Sequence, residues 1–361
     1  MSGDAAAALI NTLIAVAGDE DRAIAMSRAF GFSGFVTRRL GVQDAGVKAE
    51  RLALGFSGAV LREAGVEASV ALSTRGVPHF VGKGVAFMPG LYQPGDRQLA
   101  DLDLWVHQDA VPPAREALVS LGYTEGQGGL QSGPASLRPG SWWFRDAPSP
   151  VESVSLDLHW GVEPVTRVLP RVGLNLPEEV WECLDGRGPF PVPDPAHHAA
   201  LLIHHLVHHD LLHIRGLLDL VLLWQRGLAR ERLVGLTQYL GVWRAARAIG
   251  TTLARELALG DAALGAPAGD WRGRRLARLV RLDRWLNWAA RAQEREYVEM
   301  TPRRLVRRMI LLDRARDVPR LLADVVWPPA DHLRWRWPAA GTIAAARWQH
   351  ARHVLKKARV A

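Results

Sequence analysis

Two aspartates two residues apart stand in Arg97-Gln-Leu-Ala-Asp101-Leu-Asp103-Leu-Trp-Val106, a short apolar run with strand character. Side chains at i and i+2 of a strand share one face, so Asp101 and Asp103 are expected to project together. Like charges held that close repel and resist desolvation, and a shared divalent cation is the usual way to make them tolerable. A magnesium site for phosphate chemistry is the first expectation.

Val77-Pro-His-Phe-Val81 reads as a short strand, and Gly82-Lys83-Gly84 then opens a short helical segment that Pro89-Gly90 should stop. That order would turn free backbone N–H groups and the Lys83 ammonium toward an anion beside the metal. A third carboxylate follows in Val151-Glu-Ser-Val-Ser155-Leu-Asp157-Leu-His159-Trp160. There Val154, Leu156 and Leu158 alternate with Ser155, Asp157 and His159, the pattern of a half-buried strand with Asp157 and His159 on its polar face. Laid beside the first strand, it would bring three carboxylates together, as nucleotidyl transfer through two metal ions about 3.5–4 Å apart requires.

The elements that must position these residues are unevenly spread. Residues 1–75 look mostly helical, residues 76–190 hold the strand candidates including Ser141-Trp-Trp-Phe-Arg145, and residues 191–361 are almost entirely helical. Gly126 to Gly140 reads as a long loop beside the site, and Asp185 to Pro195 as a hinge-like connection. No internal repeat or low-complexity tract is visible. The expected fold is α+β: a small mixed sheet carrying the site, an N-terminal helical segment, and a larger C-terminal helical domain that closes over it.

Apolar residues make up 48% of the 361, ample for a sizeable core. A single cysteine, Cys183, excludes an intramolecular disulfide framework and points to a reducing, cytoplasmic setting. Asp4 precedes the run Ala5 to Ala17, and Asn11 and Thr12 interrupt it, so the N-terminus reads as an amphipathic helix and not as a signal peptide or membrane span. The net charge of +8 is concentrated at one end, since residues 301–361 hold fourteen Arg or Lys against four Asp. Trp335 and Trp337 interleave there with Arg334 and Arg336, and Arg347-Trp-Gln-His-Ala-Arg-His-Val-Leu-Lys-Lys357 reads as a basic amphipathic helix. Such a segment suits RNA, an anionic membrane surface or an acidic partner, or is a solvated face whose long side chains cover the core.

The motifs Phe80-Val-Gly-Lys83-Gly84-Val-Ala86, Leu91-Tyr92-Gln-Pro-Gly-Asp-Arg97, Asp101-Leu-Asp103-Leu-Trp-Val106, Leu121-Gly-Tyr123 and Leu156-Asp157-Leu-His159-Trp160 together resemble the uncharacterised nucleotidyltransferase family, a branch of the polymerase-β-like superfamily. His205-Leu-Val-His-His209 and Ile214-Arg215-Gly-Leu-Leu-Asp219-Leu follow the same pattern, so the likeness spans roughly residues 50 to 225. The resemblance implies that Asp101, Asp103 and Asp157 ligate Mg2+, or Mn2+ in its place, and that Lys83 joins them in catalysis. It also implies that Gly82, Lys83, Gly84, Arg97, His159, His205, His209, Arg215 and Asp219 line the nucleotide site. Gly82 replaces the apolar residue that usually precedes Lys-Gly in the family, and Trp105 replaces a smaller aliphatic one.

The resemblance implies transfer of a nucleoside monophosphate from an NTP to an acceptor hydroxyl or phosphate, with release of pyrophosphate. The acceptor, whether small molecule, peptide or RNA, is not named by the match. Two other classes stay open: a non-catalytic nucleotide- or partner-binding module of a biosynthetic complex, and an RNA-end nucleotidyltransferase using the basic C-terminus. Arg97 either binds triphosphate or pairs with a core carboxylate. His204, His205, His208, His209 and His213, read as lying on one helix, either bond to carbonyls or Asp219 in the core, line the cleft, or hold zinc through the i, i+4 pair His205 and His209.

Overall fold

The protein, seen in a computed structural model, is described for residues 4–88, 90–126, 139–147, 151–165, 173–265, 271–293 and 302–360. The loop expected from Gly126 to Gly140 lies outside the described residues from 127 to 138, as do Pro89 and the side chains of Trp335, Lys356 and Lys357.

Helix α1 (Ala5–Ala17) begins where the Asp4 carboxylate accepts from the Ala6 and Ala7 N–H groups. After α2 (Glu20–Ala29) and α3 (Ser33–Arg39) comes α4 (Ala45–Thr74), 30 residues long and capped by Asp44. Leu61, Ala64, Ala68 and Leu72 recur at helical spacing along α4 and form the stripe it lays on the sheet.

The sheet contains β1 (His79–Gly82), β2 (Leu102–Val106), β3 (Thr124–Glu125), β4 (Gly140–Asp146) and β5 (Ser153–His159) in the order β1-β2-β5-β4-β3. Strands β2 and β5 run parallel, and the other neighbours are antiparallel. The short α5 (Lys83–Ala86) leaves β1, and α6 (Val111–Ser120) covers the sheet beside α4. Because strand side chains alternate, Leu102, Leu104, Val106, Val154, Leu156 and Leu158 enter the core under these helices. Asp103, Trp105, Asp157 and His159 take the opposite face. The α+β expectation with a small mixed sheet is met.

That opposite face meets the helical part of the chain. Following α7 (Glu178–Glu182), the stretch read as a hinge folds as a hairpin of β6 (Leu184–Asp185) and β7 (Val192–Pro193). The Val81 N–H donates to the Pro191 carbonyl at 2.9 Å, so the open edge of β1 takes up the hairpin. Helices α8 (Pro195–His208), α9 (Ile214–Trp224), α10 (Arg230–Tyr239), α11 (Trp243–Glu256), α12 (Trp271–Leu279), α13 (Leu282–Gln293) and α14 (Pro302–Leu311) follow, and a single apolar cluster joins many of them to α1, α2, α3, Phe80 and Trp105. The histidine segment expected as one helix is two, because Asp210 and Leu211 take φ +54° and +65° and break the chain between α8 and α9.

The basic end comprises α15 (Val318–Val326), α16 (Ala330–Arg336) and α17 (Ile343–Val360). Arg347 lies 4.1 Å from the Trp327 ring centroid, while Trp348 is 66% exposed. No helix among the described residues is long and apolar enough to cross a membrane.

The loop entering β2 is clamped to α3 and α4. Gly95 has φ +82°, a Cβ there would collide with the Arg51 carbonyl, and buried Asp96 accepts from Arg38 at 2.8 and 2.6 Å. Gly95→Ala should therefore destabilise the fold by on the order of 2–4 kcal/mol in thermal or denaturant unfolding. An unchanged midpoint would refute this close approach.

Candidate active site

The parallel register of β2 and β5 sets Asp103 beside Asp157 and Trp105 beside His159. A carboxylate oxygen of Asp103, one of Asp157 and a ring nitrogen of His159 all lie within 4.8 Å of one another. Lys83 Nζ reaches Asp103 Oδ1 at 2.5 Å, and His159 Nε2 donates to the same oxygen at 3.1 Å. Asp103 is 4% exposed, and its burial by itself would raise its pKa. The Lys83 ammonium and His159 more than offset this and hold its carboxyl well below the ordinary range.

Lys83 obeys the reverse balance. Burial works against its charge, and the nearby Asp103, Asp101 and Asp157 carboxylates outweigh it, so the ammonium titrates above the ordinary lysine range. Its backbone has φ +46°, a conformation uncommon outside glycine. The Lys83 N–H donates to His198 Nε2 at 2.7 Å, and His198, buried against Phe87, is kept neutral with its pKa lowered to about 3. The N–H expected to meet an anion is thus already bonded. His198 escaped the sequence reading, although it lies seven residues before His205 and so on the same face of α8.

Asp101 lies one residue before β2, outside the ladder that fixes Asp103. It does not belong to the close cluster, where His159 stands instead. Burial and the charge of Asp103 raise its pKa, opposed by Lys83 and Arg215. Asp157 is raised further, to about 6, first by burial and then by Asp103 and Asp101, with His159 and Lys83 pulling the other way. Lys83, Arg215 and His159 offset the charge of these carboxylates, and the raised values of Asp101 and Asp157 show that burial and mutual repulsion still prevail at both.

The remaining expected site residues have separate partners. Arg97 donates through Nε and Nη2 to both oxygens of Asp219, each at 2.8 Å, and the Tyr92 hydroxyl donates to Asp219 at 2.6 Å. Arg97 is 8% exposed and Asp219 wholly buried, so of its two readings the structure gives Arg97 the core ion pair. Arg215, in the first turn of α9, donates to the Gln98 carbonyl at 3.0 Å, and burial followed by Arg97 lowers its pKa. His205 and His209 meet His213 and not Asp219, with His205 Nε2 3.0 Å from His213 Nδ1.

Both glycines around Lys83 are required by neighbours. A Cβ on Gly84 would collide with the Arg97 guanidinium, and one on Gly82 would lie 2.9 Å from Trp105 Nε1. Trp105 stacks between Phe80 and His159, with centroid distances of 5.6 and 4.5 Å. Gly82 and Trp105 are thus in direct contact, and the indole fills the space a side chain at position 82 would need.

Gly82→Ala should cost on the order of 1–3 kcal/mol by overpacking, and Trp105→Leu in the same chain should recover part of it. Additive costs in the double-mutant cycle would disprove this contact. The Asp157 carboxyl ionises near 3.8 unfolded and about 6 folded, so its ionisation lowers stability as pH rises through that window. Asp157→Asn should accordingly stabilise the metal-free protein at pH 7 by on the order of 2–3 kcal/mol, a gain that vanishes near pH 4. Unfolding midpoints that differ equally at both pH values would contradict this.

Residues 48–258 match the family model described as uncharacterised nucleotidyltransferase. No curated protein and no solved structure shows a significant match. The matched region contains the sheet, Lys83, the carboxylates and the helices α8 and α9 that cover them. It accounts for more than half of the chain, which belongs to the uncharacterised nucleotidyltransferase family.

Proposed function

We propose that this chain transfers a nucleoside monophosphate from an NTP to an acceptor hydroxyl or phosphate, with a divalent cation held by Asp103 and Asp157 and supported by Asp101. The observation that carries the reading is the pairing of Asp103 with Asp157 across parallel strands, with Lys83 and His159 on the same Asp103 oxygen. The donor set fits a hard cation: clustered carboxylate oxygens whose charge Lys83 neutralises only in part. When bound, Mg2+ or Mn2+ supplies a lowered pKa for the attacking hydroxyl and compensation for the leaving pyrophosphate.

The chain's own residues perform the remaining work. The acceptor oxygen bonds to the α-phosphorus while the bond from that phosphorus to the bridging oxygen breaks, releasing pyrophosphate. Asp157, beside Asp103 on the parallel strand, takes the acceptor proton on its carboxylate oxygen. Lys83 keeps Asp103 ionised and offsets charge growing on the phosphorus oxygens. Arg215, whose charge reaches Asp101 and Asp103, meets the triphosphate, and Arg97 positions α9 through Asp219. The acceptor is a small molecule, a peptide or an RNA.

The test is transfer from NTPs labelled at the α-phosphate, in Mg2+, into cell extract fractions. Asp103→Asn and Asp157→Asn should each reduce labelling by on the order of 10²-fold or more, and Lys83→Ala by roughly tenfold or more. Asp157→Asn should lower the NTP affinity measured by calorimetry far less than it lowers labelling, because the demand for a proton acceptor falls in the transition state. Labelling that persists in the Asp103→Asn, Asp157→Asn double variant would overturn the proposal.

A further inference from the structure

The carboxylates are not the molecule's sole concentration of metal-ligating groups. At the junction of α8 and α9, ring nitrogens of His205, His209 and His213 lie within 4.8 Å of one another. His205 Nε2 is 3.0 Å from His213 Nδ1, and the His209 and His213 rings stack with centroids 3.9 Å apart. Nitrogens on a tetrahedral zinc with Zn–N bonds of 2.0–2.1 Å sit about 3.3 Å apart, and the His205–His213 pair is already near that separation.

The chain bends sharply to make this cluster. His205 and His209 are neighbours by i, i+4 spacing, but His213 returns to them only because Asp210 and Leu211 both adopt the left-handed conformation. That turn is tied down from outside: Arg308 Nε donates to Asp210 at 3.2 Å, and Trp285 Nε1 donates to the Leu211 carbonyl at 2.5 Å. Two non-glycine residues at positive φ, held by side chains from α13 and α14, bring His213 back to stack on His209 and meet His205 edge-on.

We propose that His205, His209 and His213 form a second metal centre, a three-histidine site for a borderline transition ion such as Zn2+, with its fourth position open. The cluster includes no carboxylate, and imidazole favours zinc, copper, nickel and cobalt over magnesium, so the two centres differ in the ions they select. Burial lowers the pKa of all three histidines, which keeps them in the neutral form that ligates. Neutral ligands leave the ion's double charge uncompensated, and Lys83 and Arg215 add positive charge nearby. The open position therefore takes an anionic oxygen: hydroxide, or a phosphate or carboxylate of a molecule entering the site. Three protein ligands with one free position is the arrangement of zinc sites that bind or activate a molecule.

The test needs no nucleotide, so its outcome is independent of the transfer reaction. The full chain, stripped with chelator, is titrated with Co2+ and then Zn2+, following visible cobalt absorption and the unfolding midpoint. One Co2+ of low-symmetry, four- or five-coordinate spectrum is expected, displaced by Zn2+ and not by excess Mg2+, with a rise in the midpoint on binding. His205→Gln, His209→Gln and His213→Gln should each weaken Co2+ binding by at least the roughly 10–100-fold that loss of an outer-shell partner costs. Asp103→Asn with Asp157→Asn should retain the spectrum. Metal-free unfolding midpoints identify any histidine variant that fails to fold, and His205→Gln retains a hydrogen-bonding partner for His213. Cobalt absorption lost in the carboxylate variant, unchanged in all folded histidine variants, or absent from the wild type at millimolar Co2+ would overturn the proposal, as would inorganic phosphate binding the cluster without metal.

Discussion

A carboxylate buried on a sheet face has to be compensated, and the compensation of Asp103 ties together the parts of this molecule. Lys83 comes from the start of α5, His159 from β5, and the His198 that holds the Lys83 backbone from α8. Displacing any of these elements would leave a charge in a poorly solvated place at a cost of several kcal/mol. The left-handed conformation at Lys83 follows from the same demand, since its ammonium and its N–H serve partners on different elements.

A second buried pair does for the helical side what Asp103 does for the sheet. Asp219 accepts from Arg97 and Tyr92, so the segment entering β2 and helix α9 are locked to each other. The Arg97 guanidinium also occupies the space that makes glycine necessary at Gly84. Positioning of Lys83 therefore depends on Arg97 through packing and on Asp103 through charge. Of the two readings open for Arg97, the ion pair with Asp219 is the contact that joins the segment entering β2 to α9.

The metal-free pocket is electrostatically unfinished. Burial first, and then the charges of Asp103 and Asp101, raise the Asp157 pKa against the pull of His159 and Lys83. Clustered buried carboxylates of this kind reduce fold stability. Trp105, stacked on His159, sets the shape of one wall, and the absence of a side chain at Gly82 makes room for it.

Local periodicity and residue type determined much of this protein before any folding. Alternation in Val154 to His159 assigns Asp157 and His159 to one face, and the apolar run around Asp103 marks the strand that carries it. What tertiary structure decided are pairings between distant positions: the register of Asp103 with Asp157, Lys83 with His198 across 115 residues, and Arg97 with Asp219 across 122. It also removed Asp101 from the closest cluster and put His159 there, since the ladder that fixes orientation begins at Leu102. The reversal bringing His213 back to His209 was equally hidden, because left-handed Asp210 and Leu211 are imposed by Arg308 and Trp285 from far along the chain. Spacing along a chain reports which face a residue shares, whereas partners for buried charge are chosen by packing, which no local pattern encodes.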